Sequence, residues 1–160
     1  MEKDKRQNVQ GPTQEPQREA ANFICSRGTL DGAYPALLLA TNARRMGMDA
    51  SIFFTFMGIN VIRKGGTKGL KFFPPGFMGA IPGMASMATS MMKGKIEKAG
   101  IPEVADMMDM AQAEGVKFIG CKMTVDMMGL KEDDFIDGVE IWTAEDFMKH
   151  ARNAKINMFT

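Results

Sequence analysis

Apolar residues in this chain gather in short runs divided by glycine, proline and polar clusters, and the runs differ in period. Ala21–Cys25 is a brief apolar run that breaks into Ser26-Arg27-Gly28, the pattern of a strand entering a loop. Ala33, Leu37, Leu38, Ala40 and Met46 then follow a helical pattern, closed by Gly47. Thr29 or Asp31 can cap this helix. Pro35 is best tolerated in a first turn, which favours the cap at Asp31. Ala50–Phe56 is almost continuously apolar, as expected of a strand covered on both faces. Strand, helix and strand at this spacing make a βαβ unit with a right-handed crossover.

Residues 57–101 interrupt the pattern. Glycine and proline recur through them, mixed with Phe72, Phe73, Phe77 and many methionines. A short helix around Gly83–Lys93 and a short strand at Leu70–Phe73 are expected, because a structureless loop of this length is rare inside a compact domain. Alternation then returns. Pro102 opens a helix to about Glu114, with Val104, Met107, Met108 and Ala111 on one face. Val116–Gly120 reads as a strand followed at once by Cys121, a short helix over Thr124–Leu130, and a further turn over Lys131–Phe135. Gly138–Trp142 is the last clear strand. Thr143 and Asp146 form a variant capping box for a final helix reaching about Asn153. Strands alternating with helices predict an α/β fold with a mainly parallel sheet. Residues 1–19 carry four basic and four acidic side chains and no apolar period. They are expected to be a flexible tail, with order starting near Ala20.

Composition narrows the function. The 160 residues suit one domain, and a net charge of +1 gives no long-range attraction for nucleic acid or an anionic membrane. The N-terminus has no apolar signal-peptide core, and no uninterrupted apolar run is long enough to span a membrane. With only two cysteines, a disulfide scaffold is not indicated. A reducing, cytoplasmic compartment with free thiols is expected. Cys25, Cys121 and the single His150 form no zinc pattern. The 17 methionines read as adaptable core and interface side chains.

The chemistry centres on the thiols. Ligands of open parallel α/β sheets bind beyond the carboxyl ends of the strands. Both cysteines fall there in this reading. Cys121 precedes a helix, where free N–H groups and the helix dipole favour thiolate, the reactive form of the thiol. Lys122 and Thr124 follow it, and Asp126 would oppose ionisation if it faced the sulfur. An inert buried cysteine at a strand end is the competing reading. Near Cys25, Arg27 could bind an anion and Gly28 could admit a ligand to the backbone. Gly65-Gly66-Thr67-Lys68-Gly69 suggests a phosphate loop but lacks the full spacing of one.

Two segments carry a family resemblance. Phe23–Ala36, with the core Cys25-Ser26-Arg27-Gly28-Thr29, resembles the opening of the DsrE/DsrF/DsrH-like proteins. Gly120–Leu130, with Cys121, is the second match, and the Gly/Pro/Met-rich middle is similar to the larger DsrE-like branch. That branch is also labelled sulfurtransferase or peroxiredoxin family. No peroxidatic P-x-x-x-T/S-x-x-C pattern surrounds either cysteine. The resemblance covers about residues 20–160. It implies a flavodoxin-like α/β domain, frequent oligomers, and a role in moving sulfane sulfur between donor and acceptor proteins. It places the sulfur-carrying cysteine at Cys121, with Cys25 as a possible assistant; Arg27, Gly28, Lys122 and Thr124, beside the two thiols in sequence, are expected from the residues themselves to contact substrate. Such a carrier needs no metal and no organic cofactor. Cys121 is expected to keep some solvent access, and residues 57–101 are expected to form an oligomer interface bordering it or, failing that, a lid. Two other functions stay open: a non-catalytic, oligomeric interaction module, and a binder of small ligands or nucleotides at the sheet's carboxyl edge.

Overall fold

The computed structural model describes residues 18–160. Most of the expected tail lies outside the described residues. The first strand, β1 (Ala20–Cys25), starts at Ala20. It leads through a short loop into α1 (Leu30–Arg45) and then β2 (Asp49–Phe54). Three 3₁₀ turns follow, at Phe56–Ile62, Gly66–Gly69 and Gly76–Ala80. Then come α2 (Met84–Lys98), α3 (Val104–Ala113), β3 (Lys117–Cys121) and α4 (Lys122–Met127). The chain finishes with β4 (Val139–Trp142), α5 (Ala144–Ala151) and β5 (Ile156–Phe159).

All five strands are parallel, in the order β4-β3-β2-β1-β5. Helices cover both faces, the layering of flavodoxin-like proteins, with a strand order of its own. Strand alternation divides the core. Phe23, Ile52, Phe54 and Phe118 lie beneath α1 and α3. The inner side of α1 is built from Ala33, Ala36, Leu37 and Ala40, all fully buried, and its small side chains let the helix approach the sheet closely. On the other face, Phe53, Ile119 and Cys121 pack under Phe147 and Ala151 of α5. The Phe53 and Phe147 rings stack with centroids 4.3 Å apart. Thr143 caps α5 as its sequence predicts, accepting a hydrogen bond from Asp146 N at 3.1 Å.

Several sequence expectations need correction. The cap of α1 is Thr29, not Asp31, so Pro35 sits in the second turn. Proline removes the N–H that would bond Asp31 O. The Arg27 guanidinium reaches that carbonyl instead, at 3.4 Å. Leu70–Phe73 is not a strand: Lys71 makes only an isolated bridge to Thr29. A fifth strand, β5, follows the helix expected to end the pattern, and pairs with β1. A polar row fixes it, buried at Ser51 and Asn22 and exposed at Asn157: Ser51 Oγ donates to Asn22 Oδ1 at 2.7 Å, and Asn22 Nδ2 donates to Asn157 Oδ1 at 3.1 Å.

The middle segment is not uniform. Ile59, Val61, Ile62 and Leu70 are core residues. Phe77, Met87 and Met91 are instead 80%, 61% and 59% exposed, so this part is not packed internally.

Candidate functional site

The site forms where β2 and β3 end side by side. Phe54 pairs with Gly120, so Thr55 and Cys121 leave the sheet at the same level. Cys121 closes β3 and is the N-cap of α4. The first turn of α4 carries Thr124 back toward Thr55, and the two hydroxyl oxygens lie 3.3 Å apart. Phe56 N donates to Thr124 Oγ1 at 3.1 Å. Thr124 is fully buried and Thr55 nearly so. Phe56 N–H occupies Thr124 Oγ1, and either hydroxyl of the Thr55–Thr124 pair can donate to the other, which leaves one hydroxyl proton of the pair for the sulfur.

Cys121 therefore faces a set of donors. Burial pushes its thiol pKa up. The Thr124 N–H, the Thr55 and Thr124 hydroxyls and the Met123 N–H outweigh that, and hold it below the ordinary thiol value. Hydrogen bonds to the charged form are what favour a thiolate here. The expected solvent access is not met: Cys121 keeps 2% exposure, packed against Phe53, Ile119 and Phe147. The cause is α5, which covers this face of the sheet. Phe56, beside the site, is the one described non-glycine residue with positive φ, at 45°, and its ring is exposed. Backbone strain of this kind costs about 1–3 kcal/mol and gathers at sites of function or movement.

The other expected site residues are dispersed. Lys122 Nζ turns along α4 to Asp126, at 2.6 and 2.7 Å from its two oxygens, so neither charge is directed at the sulfur. Arg27 is exposed and paired with Asp31 at 2.9 Å. Gly28 serves packing: a Cβ there would stand 2.4 Å from Met57 O. Thr55 was missed by sequence reasoning. Its only signal is a hydroxyl residue ending the apolar run of β2.

Cys25 lies apart from Cys121. Their strands are separated by β2, and neighbouring strands are about 4.8 Å apart. Cys25 also belongs to the face under α1, while Cys121 belongs to the face under α5. Opposite faces and two strand spacings remove the direct disulfide that adjacent strands would have allowed. Cys25 is fully buried, and its Sγ donates to Arg27 O and Gly32 O, each at 3.6 Å. Burial pushes its thiol up to about 11. This is the chemistry of a packed thiol rather than a nucleophile.

A pH test follows. The ordinary value for Cys25 is 9.0 and the folded value about 11, so between them the unfolded chain releases this proton while the folded one keeps it. The contribution of Cys25 to stability is full below that window and lost as pH rises through it, by at most roughly 1.4 kcal/mol per pH unit. Cys121 has the opposite sign, because its folded pKa is depressed: its contribution is present at high pH and lost as pH falls through the folded value. Urea midpoints measured from pH 9 to 11 should fall less steeply in Cys25→Ala than in the parent. Equal slopes would refute the assignment.

The fold and site together define an α/β protein with a thiolate-favouring cysteine at the carboxyl edge of a parallel sheet. The chain belongs to the DsrE/DsrF/DrsH-like family, whose model matches residues 17–159. It is 35% identical over 153 residues to the sulfur carrier protein DsrE2 of Allochromatium vinosum, spanning 86% of this chain and 95% of that protein. It is 28% identical over 156 residues to the uncharacterized protein YrkE of Bacillus subtilis, spanning 89% and 98%. The crystal structure of the YchN protein from E. coli shares its fold, with a TM-score of 0.57 at 18% identity over 89% of this chain and 99% of that one. Among the described residues no helix is long and apolar enough to cross a membrane.

Proposed function

We propose that this protein is a sulfur carrier that holds sulfane sulfur as a persulfide on Cys121. The observation that carries the reading is the place of Cys121, buried at the N-cap of α4 beside the buried Thr55–Thr124 hydroxyl pair. The 35% identity to a protein named as a sulfur carrier supports it. The Cys121 thiolate attacks the outer sulfur of a donor persulfide, R–S–SH. A new S–S bond forms on Cys121, the donor's S–S bond breaks, and the donor leaves as thiolate R–S⁻. The proton stays on the transferred sulfur, and no net oxidant is consumed. Delivery to an acceptor thiolate is the same exchange in reverse.

The same N–H and hydroxyl donors would stabilise the terminal sulfur of the persulfide anion. Entry requires a small displacement, since Cys121 is nearly enclosed, and the strained turn at Phe56 is the element we assign to it. Enclosure also shields the bound persulfide from water and stray thiols. Cys25 takes no part in this scheme. Cyanide removes the outer sulfur of a persulfide as thiocyanate and leaves a thiolate. Protein loaded from a persulfide donor and freed of it should release thiocyanate on cyanolysis. The Cys121→Ser variant should release none, and equal release from that variant would defeat the proposal.

A further inference from the structure

A large cleft in the described structure lies away from Cys121. It has a volume of about 970 Å³ and opens between α2, the 3₁₀ turn at Gly66–Gly69 and the start of α3. The loop that resembles an incomplete phosphate loop thus reaches a cavity, with Thr67, Lys68 and Gly69 in its wall. Lys71 and Lys93 complete a group of three lysines there. None of the three is paired with a carboxylate among the described residues. Three unpaired cations around one hollow favour an anion.

The wall is organised along α2. Ser86, Ser90 and Lys93 come first, and Ile96 and Glu97 follow near the helix end. At 1.5 Å per residue this graded wall runs for roughly 16 Å from Ser86 to Glu97. Leu30 and Tyr34 of α1 and Glu103, just before α3, also line it. The cleft is held in shape by Thr89, which accepts from Phe72 N at 2.9 Å and donates to Ala85 O at 2.6 Å. Gly66 fixes the loop, since a Cβ there would stand 1.9 Å from Asn60 O.

We propose that this cleft binds a nucleotide-sized organic phosphate, with its phosphates at Lys68, Lys71 and Lys93 and its hydroxyls within reach of Glu97 or Glu103. Lysine supplies point charge for phosphate oxygens, with the Thr67, Ser86 and Ser90 hydroxyls as hydrogen-bond donors. Tyr34 and Ile96 take a flat apolar ring. The carboxylates accept from sugar hydroxyls, as acidic residues do at dinucleotide sites. Carboxylates beside the lysines disfavour a simple fatty anion, which has no donor for them.

Isothermal titration of the full chain tests this with ADP, GDP and UDP, beside adenosine and inorganic phosphate. At least one diphosphate should bind saturably at one site per chain, and adenosine and inorganic phosphate should bind at least tenfold more weakly. Lys68→Ala with Lys93→Ala should weaken the diphosphate at least tenfold. Both side chains are exposed, so the circular dichroism of this variant should match the parent. The proposal is overturned if no diphosphate binds, if inorganic phosphate binds as tightly, or if the paired lysine variant keeps full affinity.

Discussion

Thr124→Val should slow alkylation of Cys121 by iodoacetamide at neutral pH by about three- to tenfold. Valine keeps the shape of threonine and removes the hydroxyl that faces the sulfur. A hydrogen bond to a charged group contributes about 1.5–3 kcal/mol, so its loss reduces the thiolate fraction sharply. A more basic thiolate is also a better nucleophile, which offsets part of that loss and leaves the smaller net factor. The same change strips Phe56 N–H of its acceptor, at a stability cost of about 1–3 kcal/mol. Thr124→Ser keeps the hydroxyl and should retain the rate. If valine and serine react alike, the hydroxyl does not set the reactivity of Cys121.

A large stability effect should come from Gly58→Ala. A Cβ at Gly58 would stand 2.1 Å from Cys25 O and 2.7 Å from Cys25 C. Both are backbone atoms, so no side-chain rotation relieves the clash. Gly58 N is also bonded to Ser26 O at 3.0 Å and Thr55 O at 2.9 Å, tying together the exits of β1 and β2. Separating them disturbs the Thr55 end of the sulfur site as well as the core. A loss of about 3 kcal/mol or more is expected, at the upper end for overpacking. Gly94→Ala is the internal control. It lies inside α2 with open space around it, and alanine there should stabilise by about 0.5–1 kcal/mol. Urea midpoints read both. A Gly58→Ala protein as stable as the parent would mean that the two loops are not packed this closely.

The parts of the fold legible in the sequence are those where burial writes a pattern. The strands β1, β2 and β3 announce themselves because both faces of the sheet are covered there. The strand β5 does not. Its residues Ile156–Phe159 are all exposed at the sheet edge, and its partner row depends on Asn22 and Asn157, which carry no apolar signal. The α1 cap was misplaced because relief of Pro35 comes from Arg27, outside the helix. The core role of Ile59, Val61 and Ile62 was hidden by a 3₁₀ turn, which has neither strand nor helix period.

The site shows the same division. Cys121 could be found because it follows an apolar run directly and precedes a helix. The separation of the two thiols could not. Side chains alternate in a strand, so a one-residue difference in register exchanges faces. Cys25 is level with Phe54, which is level with Gly120, and Cys121 lies one residue further. Thr55 acquires its role only from that register, across two strands distant in sequence.

The central claim is that one sulfur atom, on Cys121, carries the cargo. Intact-mass spectrometry after incubation with a persulfide donor tests it most directly, on the parent, Cys121→Ser and Cys25→Ser. Parent and Cys25→Ser should each gain the mass of one sulfur atom, reversed by a thiol reductant, and Cys121→Ser should gain none. Loading that persists in Cys121→Ser, or disappears in a folded Cys25→Ser, would contradict the account.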